Sequence, residues 1–181
     1  MKKIRSNPSI TLITGGAKCG KSRYALSLCE SMPGEKVFLA TAESKDSEMA
    51  ERIRRHQEER GSHWRTVEEP LDVVGALSYN VSQHHVVLLD CVTLWLSNLM
   101  MEHGKDGERI FEEIRRLAGF LADCQGPVVV VSNEVGMGIV PADSMSRLYR
   151  DLAGQANQWI AAAAGSVVAM FSGIPLTIKS P

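Results

Sequence analysis

Residues Gly15-Gly16-Ala17-Lys18-Cys19-Gly20-Lys21-Ser22 have the spacing G-x-x-x-x-G-K-S and follow directly on the apolar run Ile10-Thr11-Leu12-Ile13-Thr14. A buried strand that ends in such a loop can curl its backbone where glycines avoid a Cβ clash, so that successive N–H groups point at one polyphosphate. Residues from Lys21 to Glu30 read as a helix, whose N-terminal partial positive charge faces the same anion. In that arrangement Lys21 reaches the β- and γ-phosphates and the Ser22 hydroxyl is a ligand for Mg²⁺. A glycine-rich turn with no ligand would have the same composition, but strand before and helix after are the flanks that phosphate binding requires. The Cys19 side chain has no required role in the loop.

A chain of 181 residues, 44% hydrophobic, is expected to form one domain over 1–181, with 1–8 as a flexible N-terminal extension. Its 20 Lys and Arg balance 21 Asp and Glu, for a net charge of −1, so no basic excess advertises nucleic acid or an anionic membrane. Cys19, Cys29, Cys91 and Cys124 form no C-x-x-C pair, which suits reduced thiols in a cytoplasm. The first apolar run is too short for a membrane segment, and Gly15-Gly16 interrupts it.

Lys36-Val37-Phe38-Leu39-Ala40-Thr41 reads as a second buried strand after the break at Met32-Pro33-Gly34-Glu35. Strand, loop, helix and strand make a right-handed βαβ unit, hence a mostly parallel sheet flanked by helices. A helix is expected over about 46–60, with His56 on the inward face of Met49 and Ile53 and with Arg52 and Arg60 four residues to either side. Spacing alone favours a histidine satisfied at the edge of a core. A short strand over 63–68 and a helix opened by Pro70 and running to about Gln83 come next.

His84-His85-Val86-Val87-Leu88-Leu89-Asp90 describes a central strand whose aspartate emerges at the C-terminal edge of the sheet, where parallel sheets bind ligands. Opposite a phosphate loop such a carboxylate holds Mg²⁺, directly or through water. A helix is expected over 93–101 and a second one follows Gly104-Lys105-Asp106-Gly107 and runs to about Cys124, then a strand over Val128-Val129-Val130-Val131-Ser132. The loop 133–141 leaves that strand at the same edge and borders the same cleft. Asp143 or Ser144 caps a helix that Gly165 stops, and 167–171 with 176–179 form an antiparallel edge hairpin. The fold class is therefore α/β, a phosphate-loop NTPase-type sheet with a C-terminal hairpin.

Three classes of nucleotide protein fit this frame. A regulatory GTPase needs a guanine-reading N-K-x-D, which is absent, and Asp123-Cys124-Gln125-Gly126 precedes a strand where a switch D-x-x-G would follow one. A RecA-like ATPase acting on nucleic acid lacks an evident basic surface. A monofunctional small-molecule kinase is the reading that physics alone favours.

The motifs together are more selective than the loop. Ala40-Thr41-Ala42, Glu48-Met49-x-x-Arg52-Ile53-x-x-His56-x-x-x-Arg60, Trp64-x-Thr66-x-Glu68, Leu89-Asp90-Cys91-x-Thr93, Asn133-Glu134-Val135-Gly136-x-Gly138-Ile139-Val140-Pro141 and Arg150-Asp151-Leu152-Ala153-Gly154-x-x-Asn157-Gln158 join the loop over nearly the whole chain after Ser9. This set resembles the bifunctional adenosylcobinamide kinase / adenosylcobinamide-phosphate guanylyltransferase family of cobalamin biosynthesis. The resemblance implies phosphorylation of the aminopropanol hydroxyl of adenosylcobinamide by ATP or GTP, then transfer of GMP from GTP to that phosphate with release of pyrophosphate. It implies a guanylylated His56, nucleotide contacts from the loop residues Gly15 to Ser22 and from Thr41, Ala42, Glu43, Arg52, Gln57, Glu58, Glu59, Arg60, Glu68 and Asp90, and a homotrimer. A neutral imidazole attacking the α-phosphorus beside Arg52 and Arg60 makes chemical sense, since cations gather the displaced charge. Two positions depart from the pattern: Cys19 stands where serine is commonest, and Arg55 precedes His56 where some relatives carry a second histidine.

Overall fold

The computed structural model describes residues 5–42, 54 and 60–181. Its frame is a seven-stranded sheet built from β1 (Asn7–Gly15), β2 (Glu35–Ala40), β3 (Trp64–Glu68), β4 (His85–Asp90), β5 (Val128–Val131), β6 (Ala164–Phe171) and β7 (Ile174–Lys179), in the order β3-β2-β4-β5-β1-β6-β7. All neighbours run parallel except β6 and β7, the antiparallel edge pair expected from the sequence. All the parallel strands therefore end on one edge, where β1 gives way to the loop and β4 to Asp90.

Alternation along the strands divides the core in two. Ile10 and Leu12, Val87 and Leu89, and Val128 and Val130 face α2 (Val73–Asn80), α3 (Val92–His103), α4 (Gly107–Asp123) and α5 (Ser144–Ala163). Ile13, Val86, Leu88, Val129 and Val131 face α1 (Lys21–Glu30) through Ala25 and Cys29. Strands covered on both sides carry unbroken apolar runs, which is why β5 is four consecutive valines, all buried. On α4, Ile110, Ile114, Leu117 and Leu121 recur at three or four residues and are fully buried, each stabilising the packed state by about 1.5–3 kcal/mol.

Several boundaries differ from the sequence expectation. β1 begins at Asn7, so Asn7 and Pro8 are not part of a flexible extension. Asn7 Nδ2 donates to the carbonyls of Leu121 (2.9 Å) and Cys124 (3.0 Å), satisfying the end of α4. Pro70 does not open α2; Asp72 does, its side chain accepting from the Gly75 N–H at 3.0 Å. Gly165 does not stop α5, because the chain passes from Ala163 straight into β6. The β6–β7 turn is only Ser172-Gly173, both with positive φ (51° and 84°), the geometry of a tight hairpin. Most of the helix expected over 46–60 lies outside the described residues; Arg54 and Arg60 are helical.

Candidate functional site

The loop between β1 and α1 is shaped by its glycines. Gly15 has φ 145°, and a Cβ there would stand 2.6 Å from the Met170 carbonyl oxygen and 2.8 Å from Cys19 Sγ, so no side chain fits. Gly20, at φ 98°, is the residue before α1 and gives its carbonyl to the N–H of Tyr24 at 3.0 Å. Gly16, Ala17 and Lys18 are exposed, and Lys18 adopts a left-handed φ of 55°. The Lys21 ammonium is curled over the loop, donating to the Gly16 carbonyl at 2.6 Å. Lys21 is buried, so its charge sits over the loop with little competition from water. Ser22 is half-buried in the first turn of α1, and its hydroxyl makes no hydrogen bond to a described residue. The loop is propped from the β6–β7 turn, where the Gly173 N–H donates to the Cys19 carbonyl at 3.0 Å.

Beside the loop, the tip of β5 holds a polar network that the sequence places at the cleft without assigning it a role. Glu134 donates its N–H to the Gly15 carbonyl at 3.1 Å, which fastens the start of the 133–141 loop against β1. Its Oε1 accepts from Thr14 Oγ1 (2.7 Å) and from Asn157 Nδ2 (3.0 Å), whereas its Oε2 takes no hydrogen bond from a described residue. Asn157, buried on α5, also donates to the Asn133 carbonyl (3.1 Å) and accepts from the Ser132 hydroxyl (2.6 Å), so its amide orientation is fixed. Asn133 is held away from the loop, donating to Thr93 Oγ1 at 2.6 Å. A carboxylate two residues past a strand that ends on the ligand edge is the sequence signal that could have singled out Glu134.

The other predicted residues lie farther along the edge. Asp90, at the end of β4, is separated from β1 by β5, about 10 Å of lateral spacing. Arg60 is buried with its guanidinium 3.5 Å over the Phe38 ring. Burial pulls its pKa below the ordinary value while the Asp90 charge opposes that shift, so the structure brings Arg60 and Asp90 together. Thr41 is fully buried just after β2, and its hydroxyl is committed to Cys91: it donates to that carbonyl (2.8 Å) and accepts from that N–H (2.9 Å). The Thr41 carbonyl also accepts from Asn98 Nδ2 at 2.7 Å. Thr41 therefore locks β2 to β4, and a ligand meets its surroundings, not its hydroxyl. Ala42 next to it is half-buried. Glu68 is exposed at the end of the edge strand β3, four strand spacings or about 19 Å from β1. His56, Glu43, Arg52, Gln57, Glu58 and Glu59 lie outside the described residues.

Chemically, among the described residues the edge offers a phosphate cradle, the buried Lys21 ammonium, the Ser22 alcohol at a helix start and the carboxylates of Glu134, Asp90 and Glu68 at increasing distances from the loop. Such a set suits binding and transfer of a phosphoryl group, where catalysis is mostly positioning and charge stabilisation. Among the described residues no helix is long and apolar enough to cross a membrane.

Comparison with known proteins is consistent along nearly the whole chain. Residues 11–178 match the family model described as cobinamide kinase / cobinamide phosphate guanyltransferase. The bifunctional adenosylcobalamin biosynthesis protein CobU of Escherichia coli K12 is 40% identical over 179 residues, spanning 93% of this chain and 98% of that protein. The corresponding protein CobP of Pseudomonas aeruginosa is 39% identical over 168 residues, 93% of this chain and 96% of that protein. Among solved structures, an ATPase from the type III secretion system of pathogenic bacteria superposes with a TM-score of 0.51 at 10% identity, over 93% of this chain and 56% of that one. That likeness concerns the fold alone.

Proposed function

The chain belongs to the cobinamide kinase / cobinamide phosphate guanyltransferase family, and we propose that its two reactions share the loop at the end of β1. It is a bifunctional transferase of cobalamin biosynthesis: it phosphorylates cobinamide and then transfers a guanylyl group to the phosphate. In the first reaction, the hydroxyl oxygen of adenosylcobinamide attacks the γ-phosphorus of ATP or GTP, and the nucleoside diphosphate leaves. In the second, a His56 ring nitrogen attacks the α-phosphorus of GTP, an N–P bond forms and pyrophosphate leaves. The phosphate oxygen of adenosylcobinamide phosphate then attacks that phosphorus, the N–P bond breaks, and adenosylcobinamide-GDP is released with the imidazole restored.

The observation that carries this reading is the loop of a chain matched over residues 11–178, with the Lys21 ammonium curled onto it at the head of α1. Lys21 takes up charge that spreads over the transferred group, and the α1 N-terminus does the same from the backbone. Arg60, already beside Asp90, is a second cation for phosphate oxygens, and Arg52 and Arg60 flank His56 in sequence. Glu43, Gln57, Glu58, Glu59 and Glu68 complete the proposed nucleotide contacts. The free Ser22 hydroxyl and the Asp90 carboxylate are hard oxygen donors that fit Mg²⁺ carried in by phosphates. When bound, the ion would neutralise charge on the β- and γ-oxygens. The corrinoid and a nucleotide are the partners; a homotrimer and a cytoplasmic location complete the proposal.

The test is incubation with α-labelled GTP and Mg²⁺. Label stable in base and lost in acid is expected on the wild-type protein and absent from His56→Ala; label that persists in the variant refutes the histidine.

A further inference from the structure

We propose that Glu134 is the general base of the kinase step, receiving the proton of the corrinoid hydroxyl on Oε2; the assignment rests on the kinase reading above. Three observations carry it. Glu134 is the carboxylate fastened to the phosphate loop, through the Gly15 carbonyl and Thr14 Oγ1, whereas Asp90 and Glu68 stand two and four strand spacings away. Its two oxygens are unequal: Oε1 is saturated by Thr14 and Asn157, so Oε2 is left for an incoming donor. A carboxylate clamped through one oxygen is aimed, and a positioned base needs that more than it needs proximity alone.

The side of the sheet agrees. α1, whose N-terminus faces the phosphates, packs on the face of Ile13 and Val131, and Glu134 is held from the opposite face by Thr14 and by Asn157 of α5. In-line displacement puts the attacking oxygen opposite the leaving group. A leaving diphosphate held by the loop and α1 therefore leaves the α5 side for the acceptor, where Oε2 waits.

As the hydroxyl oxygen bonds to the γ-phosphorus, its proton passes to Oε2. The bond from that phosphorus to the β,γ-bridging oxygen breaks, and the electron pair leaves with the nucleoside diphosphate. Glu134 then returns the proton to solvent. Asn157 is a positioning residue in this scheme, since its side-chain hydrogen bonds go to Glu134, Ser132 and the Asn133 backbone.

The experiment measures steady-state phosphorylation of adenosylcobinamide by the full chain and by Glu134→Gln, which keeps shape and can still accept from Thr14. Loss of a general base lowers kcat by about 10²-fold or more, with KM for the corrinoid and Kd for the nucleotide within about twofold of wild type. A second acceptor, carrying trifluoromethyl in place of the methyl on the aminopropanol, has a more acidic hydroxyl that needs the base less. The deficit should shrink with it, which a structural defect would not reproduce. If Glu134→Gln does not fold, Glu134→Asp with the same two acceptors decides: a deficit smaller for the fluorinated one supports the base. A Gln variant within about threefold of wild type, or a deficit equal for both acceptors in whichever variant folds, overturns the assignment. Wild-type protein that does not phosphorylate adenosylcobinamide at all refutes the kinase reading itself, a different outcome from an active wild type with an unaffected variant.

Discussion

Replacing Thr41 by valine tests how the ligand edge is held together. The substitution keeps the β-branched shape, so it opens no cavity, and it deletes only the hydroxyl. That hydroxyl both donates to the Cys91 carbonyl at 2.8 Å and accepts from the Cys91 N–H at 2.9 Å, and both residues are buried. The orphaned Cys91 N–H costs about 1–3 kcal/mol away from water, and the lost bond to the Cys91 carbonyl, which still accepts from the Trp95 N–H at 3.2 Å, costs about 1 kcal/mol. The added methyl returns about 0.8 kcal/mol of transfer free energy. The net expectation is a loss of about 2 kcal/mol, which for a domain of this size lowers Tm by roughly 4–8 °C. Urea unfolding of both proteins, followed by tryptophan fluorescence, gives the difference from the midpoints provided that m is unchanged. A loss below about 1 kcal/mol would refute the reasoning, because it would mean that water reaches Cys91 or that the two tips are not locked through this hydroxyl.

Lys21→Ala should lower kcat/KM for phosphoryl transfer by about 10²–10³-fold, the effect of removing one preorganised charge donor. Nucleoside diphosphate release measures it, and a change under threefold would show that the ammonium does not face the transferred group. Thiol labelling of the native protein near pH 8 should begin at half-buried Cys19, and ATP or GTP should slow it. Cys29 should resist until unfolding, since it is fully buried with its thiol pKa pushed up to about 12. Labelling of Cys29 at the rate of Cys19, read by peptide mass, would contradict the packing of α1.

The legible parts of this fold are those that local sequence dictates. Apolar runs ending in Gly15, Thr41, Asp90 and Ser132 announce buried parallel strands, and the G-x-x-x-x-G-K-S spacing announces what lies at the end of the first. Gly165 misled because glycine after a helix usually signals its end. Here it sits inside β6, where a Cβ would stand 2.5 Å from the Pro8 Cα, so close approach of two strands requires it. Strand order was not legible, and with it went the site. Glu134 matters because β5 lies between β1 and β4, and its contact with Thr14 spans a separation of 120 residues. No local periodicity encodes such a pairing; the crossover helices and the burial of both sheet faces do.

The same long-range logic makes the phosphate loop less local than its motif suggests. Gly15 is forced to be glycine by the Met170 carbonyl of β6, and the Cys19 carbonyl is satisfied by the Gly173 N–H at the hairpin turn. β7 itself is almost wholly exposed, with Ile174, Leu176 and Ile178 each more than half accessible, so little burial of its own holds the hairpin in place. Its order comes from pairing with β6, from Lys179 Nζ, which donates to the carbonyls of Ala161 and Ala164, and from the contact with the loop. A nucleotide that binds only the curled loop therefore stabilises the hairpin as well, by RT ln(1 + [L]/Kd) shared through the Gly173–Cys19 hydrogen bond. Phosphate binding and the C-terminal hairpin are, in this chain, two ends of one folding equilibrium.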